Sequence, residues 1–197
     1  MTTVGKILKA DTRTFVFGCR VNKSDVPIFG SLVKTSIQYR NATLYGLIYN
    51  IEVQDDGTTK LLSVADDVRE EDIQWQRDRR VPVEAAVLSV GYRDDFEGQV
   101  RVRHALPPQP PITLDLVTAC DDAEVMAFTS RLDFFRLILD FKDAPCDELI
   151  AAGVRLAAEA RPESQREAYR ISCGQELARL MAKDAMRLEN LLRRIAH

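Results

Sequence analysis

Several side chains in this 197-residue chain have the chemistry to act, and their spacing decides what each can do. Gly30-Ser31-Leu32-Val33-Lys34-Thr35 ends in the Lys-Thr pair of a phosphate-binding loop, but lacks the glycine that must precede the lysine. A Gly-x-x-x-x-Gly-Lys-[Ser/Thr] loop cradles phosphate with successive backbone N–H groups. This segment instead opens an apolar strand. Asp66, Asp67, Glu70, Glu71 and Asp72 gather carboxylates that could hold Mg²⁺ or Ca²⁺, yet no Asp-x-Asp-x-Asp-Gly spacing is present. The cluster is read as a solvated helix start, where acids meet the positive end of the helix.

The histidines, His104 and His197, and the cysteines, Cys19, Cys120, Cys146 and Cys173, stand far apart with no Cys-x-x-Cys pair. Zinc spacing of the usual kind is thereby excluded. Neither Gly-x-Ser-x-Gly nor a Ser/His/Asp or Cys/His relay can be assembled: His104 ends a strand, and Cys19 alternates with Phe15 and Phe17 as a core side chain would. No catalytic, cofactor-binding or metal-ligating set is assigned, and the chain is read as a non-enzyme without a cofactor.

Two surfaces remain as candidates. Arg77, Arg79, Arg80, Arg101 and Arg103 could form a basic patch for a protein partner or DNA, although Asp78, Asp94, Asp95 and Glu97 are mixed among them. Leu177, Leu180, Leu188, Leu191 and Ile195 fall on one helical stripe that either docks a partner or packs on the chain's own helices. Trp75 and Phe29, on loops, are either interface anchors or plugs of a barrel end.

The elements that must position these residues are of two kinds. Period-two alternation marks strands over 4–10, 14–21, 32–37, 43–51, 81–92 and 99–104, with Asp55-Asp56-Gly57 and Asp94-Asp95-Phe96-Glu97-Gly98 as tight turns. The 43–51 run is apolar on both faces, as for a strand covered inside by a core and outside by something else. Gly18 and Gly46 within strands suit a small, sharply coiled barrel. Leu106-Pro107-Pro108-Gln109-Pro110-Pro111 is the strongest boundary signal, and the apolar stretch 112–119 after it is placed to close the barrel. Beyond Cys120 the period turns helical. Asp121 with Glu124 forms a capping box, and Val125, Phe128, Leu132, Phe135 and Leu139 carry a helix to about Phe141. Pro145 opens a second helix and Pro162 a third, whose stripe Asp184 interrupts.

Composition agrees with a soluble globular protein: 46% hydrophobic, 29% charged, net charge −3. Residues 1–110 carry 15 basic and 15 acidic side chains and residues 111–197 carry 12 and 15, so neither half has the basic excess of a general nucleic-acid binder. No run approaches the ~18 apolar residues of a membrane span, no signal-peptide core opens the chain, and isolated cysteines suit a reducing cytoplasm.

Four patterns in order, Val4-Gly5-Lys6-Ile7, Phe15-Val16-Phe17, Phe29-Gly30-Ser31-Leu32-Val33 and Tyr45-Gly46-Leu47-Ile48-Tyr49, followed by the proline-rich exit, resemble the HAS barrel over residues 1 to about 118. That barrel is the N-terminal domain of HerA-type DNA translocases and of the α and β subunits of rotary ATP synthases. There it assembles and docks while a separate motor domain hydrolyses ATP. No such motor follows here, since residues 120–197 are too few for a RecA-like domain, and ATPase activity is not carried over. The resemblance implies a barrel that sits in homo-oligomeric rings or docks a partner such as a translocase, a nuclease or an ATPase subunit.

The expected architecture is α+β: an antiparallel barrel of six or seven strands over 1–119, then a three-helix unit over 120–197. The expected function is a protein–protein assembly or adaptor module, self-association included. The alternative is an accessory factor for DNA processing that works with a HerA-type translocase or nuclease and contacts DNA.

Overall fold

The computed structural model describes residues 2–20, 27–53, 82–96 and 98–196. The acidic cluster at 66–72, the Asp55-Asp56-Gly57 turn, Trp75, Arg77, Arg79, Arg80 and His197 lie outside the described residues. Among the described residues the alternating runs form seven strands: β1 (Thr3–Ala10), β2 (Thr14–Arg20), β3 (Leu32–Ile37), β4 (Ala42–Val53), β5 (Pro82–Phe96), β6 (Gln99–Arg103) and β7 (Leu116–Ala119). β1 pairs with β2 and β7, β7 with β3, β3 with β4, β4 with β5, and β5 returns to β2, all antiparallel. Six strands thus close on themselves, which leaves no open edge among them. β6 is an addition paired with the far end of β5. The stretch after the prolines closes the barrel, with β7 seated between β1 and β3.

Alternation divides the apolar residues between two cores. Ile7, Phe15, Phe17, Leu44, Ile48, Val87 and Val117 fill the barrel interior. On the opposite faces of β3, β4 and β5, Leu32, Tyr45, Leu47, Leu88 and Val90 are equally buried, beneath the helices. The two-faced apolar pattern of β4 therefore has a physical cause: Leu44 and Ile48 point into the barrel, Tyr45 and Leu47 into the seam with the helical unit.

The helical unit is present but is cut into five helices rather than three: α1 (Asp122–Phe128), α2 (Phe135–Leu139), α3 (Cys146–Glu159), α4 (Glu163–Leu180) and α5 (Ala185–Ala196). Asp121 and Glu124 form the full reciprocal capping box at the start of α1. α1 stops where Thr129 Oγ1 donates to the Val125 carbonyl (2.6 Å) and Ser130 Oγ to that of Ala127 (2.8 Å), side chains that compete with the helical ladder. Asp184 breaks the last helix and restarts it, its carboxylate accepting from the Arg187 backbone N–H at 3.2 Å. The buried guanidinium of Arg161 ties three helices together, donating to Thr129 Oγ1 (2.8 Å) and lying 3.6 Å over the Tyr169 ring. Among the described residues no helix is long and apolar enough to cross a membrane.

Candidate interaction surface

The residues with chemical potential are mostly committed to the fold. Lys34 is buried and its ammonium donates to Glu124 across the barrel–helix seam, while Thr35 Oγ1 donates to the Leu116 carbonyl at 3.0 Å. The Lys-Thr pair thus serves packing. Burial pushes the Cys19, Cys146, Cys173 and Cys120 thiols up, the last two to about 11 and about 12. None is activated as a thiolate nucleophile. No group of three or more His, Cys, Asp or Glu side chains among the described residues is arranged to hold a metal.

His104 is buried against Phe128 and Phe134, with ring centroids 4.7 and 5.4 Å away. Its Nε2 lies 3.2 Å from the Phe128 carbonyl, so this nitrogen carries the proton and donates. The bare Nδ1 faces Asp133 at 3.8 Å, a carboxylate that already binds Arg131 at 2.8 Å. Burial holds the imidazole below its ordinary pKa, the Arg131 and Arg136 guanidiniums act in the same direction, and the Phe128 carbonyl and Asp133 oppose them. The unfolded chain therefore takes up a proton at higher pH than the folded one. Stability is expected to be full above about pH 6.5 and to fall as pH drops below it. In His104→Gln that acid slope is expected to flatten, as denaturant melts between pH 7.5 and 5 would show; an unchanged slope would assign it to other groups.

Of the predicted basic patch, Arg101 and Arg103 are among the described residues, and Arg103 is drawn toward a carboxylate. Arg103 Nε lies 3.5 Å and Arg40 Nη1 3.8 Å from the buried carboxylate of Asp94, and Arg101 donates to Gln99 at 2.8 Å. The predicted docking stripe is spent inside the chain. Leu177, Leu191 and Ile195 are buried in the seam core, and Leu180 and Leu188 pack half-buried against it. Phe29 packs half-buried against the same seam core, not against the barrel interior.

A surface the residue pattern did not announce lies on the barrel wall that the helices leave uncovered. In β1, Ile7 points inward, so Leu8 points out; Leu116, paired with Lys6, also points out while Val117 fills the interior. The turn before β7 is held on both sides: Asp115 N–H donates to Ile112 O (3.2 Å), Leu114 N–H to Ile7 O (2.8 Å), and Ile7 N–H to Asp115 O (3.0 Å). Those bonds fix Leu114 at φ +71° with 70% of the residue exposed. Leu116, Leu8 and Ile112 are 52%, 47% and 41% exposed beside it, and Lys6 and Lys9 supply a charged border. A left-handed backbone costs an L-residue roughly 1–2 kcal/mol, and glycine or asparagine is the usual occupant of such a turn position. Leucine here bears that cost and gains little burial within the chain.

Set against known proteins, the chain matches no family model and no curated protein.

Proposed function

We propose that the chain is a HAS-like barrel module that works through protein contacts, as an assembly or adaptor unit, with the β1–β7 wall as its docking face. The single observation that carries this reading is Leu114: an exposed leucine held in a left-handed turn among three other exposed aliphatic side chains. The turn's hydrogen bonds hold the backbone, but an apolar side chain kept mostly exposed on a position that favours glycine or asparagine points to a use outside the chain, and an apolar centre with a charged border is the usual anatomy of an interface. The occupant is a partner protein or a second barrel, which would make the module self-associating. The closed barrel with its proline-rich exit supports the HAS-like assignment, and free cysteines support a reducing, cytoplasmic setting. The DNA-contacting alternative has less behind it, since Arg103 is drawn onto buried Asp94.

Leu114→Asn tests the docking role without threatening the fold. Denaturant unfolding is expected to show unchanged or higher stability, by up to about 1 kcal/mol, because asparagine accepts the left-handed turn more readily. Sedimentation of the wild-type chain over a range of concentrations is expected to show any self-association, and Leu114→Asn to abolish it. A loss of several kcal/mol on substitution would show that Leu114 is buried and structural, and would remove the surface from consideration.

A further inference from the structure

The barrel and the helices do not close fully on each other. Between the outer face of β3 and β4 and the helix α3 lies a cavity of about 280 Å³. An apolar cavity of roughly 150 Å³ stays dry and takes up benzene, so this one has room for a fused ring or a medium alkyl chain. Its walls are apolar, with Leu32, Leu47, Phe134, Ile138, Ile150 and Val154 among them. The charged residues on it are Asp122, at the start of α1, and Glu159, at the end of α3. Both are exposed, which places them at the mouth. Among the described residues no lysine or arginine lines it.

Gly153 gives an independent indication that the space is kept open. It stands in the middle of α3, where glycine weakens a helix relative to alanine. Packing does not demand it: an added Cβ would lie 3.7 Å from the Gly30 carbonyl oxygen and 3.9 Å from the Leu47 methyls, ordinary contact distances. Gly30 is the contrasting case, at φ +84° with an added Cβ only 2.6 Å from that of Ala152. The seam thus requires a glycine at Gly30, whereas the bare backbone at Gly153 enlarges the cavity. Cys120, also on the wall, keeps its proton because burial raises its pKa to about 12, so the wall is neutral at physiological pH.

We propose that this cavity binds a hydrophobic amine, a small molecule whose ring or chain fills the apolar seam and whose ammonium head is held at the mouth by Asp122 and Glu159. Apolar walls with a few convergent polar groups at one end are the usual composition of a small-ligand site. The site is separate from the β1–β7 wall and does not depend on the docking role of that wall.

Calorimetric titration of the full chain with decyltrimethylammonium, decanol and decanoate, each below its micellar concentration, tests it. The ammonium is expected to bind at least tenfold tighter than decanoate, with decanol between. Gly153→Leu, which fills the cavity, is expected to weaken the ammonium at least tenfold. The double variant Asp122→Asn/Glu159→Gln is expected to erase the preference for ammonium over decanoate while decanol binds as before. Should Gly153→Leu not fold, the charge variant, altered at two exposed positions, decides the matter. Absence of saturable ammonium binding, decanoate binding as tightly as ammonium, a preference that survives the charge variant, or affinity unchanged in a folded Gly153→Leu would overturn the proposal.

Discussion

A fragment ending at Ala119 is expected to aggregate instead of standing as a free barrel, although the proline run before β7 marks an obvious cutting point. Removing residues 120–197 strips the cover from Leu32, Tyr45, Leu47, Leu88 and Val90, all buried in the seam. Each such side chain loses about 1.5–3 kcal/mol of burial when returned to water. Five of them exceed much of the 5–15 kcal/mol that holds an ordinary domain together. Lys34, buried in the seam, would also lose Glu124, its partner from α1. The fragment should therefore appear in inclusion bodies and show no cooperative melt after refolding. Soluble expression with a cooperative transition would contradict this and make the barrel an independent domain.

Gly46→Val is expected to destabilise the chain by about 3 kcal/mol, the upper range for overpacking a dense core. β4 shifts register against β5 between Tyr45 and Gly46. A Cβ at residue 46 would stand 2.4 Å from Val87 Cγ1, 2.9 Å from the Leu88 carbonyl oxygen and 3.3 Å from Phe15. The carbonyl belongs to β5 itself and cannot rotate aside. Gly18 is an internal control, because there an added Cβ meets only the flexible end of Leu8, at 3.3 Å and beyond. Gly18→Ala should cost far less. Denaturant melts that rank the two substitutions equally would show that the close approach at Gly46 is not what that strand requires.

The barrel was legible because a strand's faces alternate at every residue, so an inward Phe15 and Phe17 or a two-faced β4 writes itself directly into residue order. The starts of the helical unit were legible for a similar reason, since Asp121 and Glu124, Pro145 and Pro162 act within one turn of themselves. Its breaks were less so. Val125, Phe128, Leu132, Phe135 and Leu139 keep a helical period straight through the gap between α1 and α2, because both short helices turn apolar faces to the same seam. What ends α1 is a pair of hydroxyls, Thr129 and Ser130, whose role depends on where they bond. The leucine stripe of α4 and α5 was visible as a stripe, but its destination, inward or outward, is a matter of tertiary packing. Leu114 was invisible for a deeper reason. Its left-handed backbone is imposed by hydrogen bonds to Ile7, more than a hundred residues earlier, and no residue type announces it. The seam cavity, built from six separate segments, is hidden in the same way.

The β1–β7 wall, with Leu114 at its centre, is proposed as the face on which this module meets its partner. It is tested most directly by using wild-type chain and Leu114→Asn side by side as baits in lysate of the source organism, with quantitative mass spectrometry of what each retains. A protein held by the wild type, a copy of this chain included, should fall at least tenfold on the variant. Recovery of a translocase, a nuclease or ATP synthase subunits in that lost fraction would also name the process served. Equal retention of every captured protein by the two baits, with both folded, would contradict the claim.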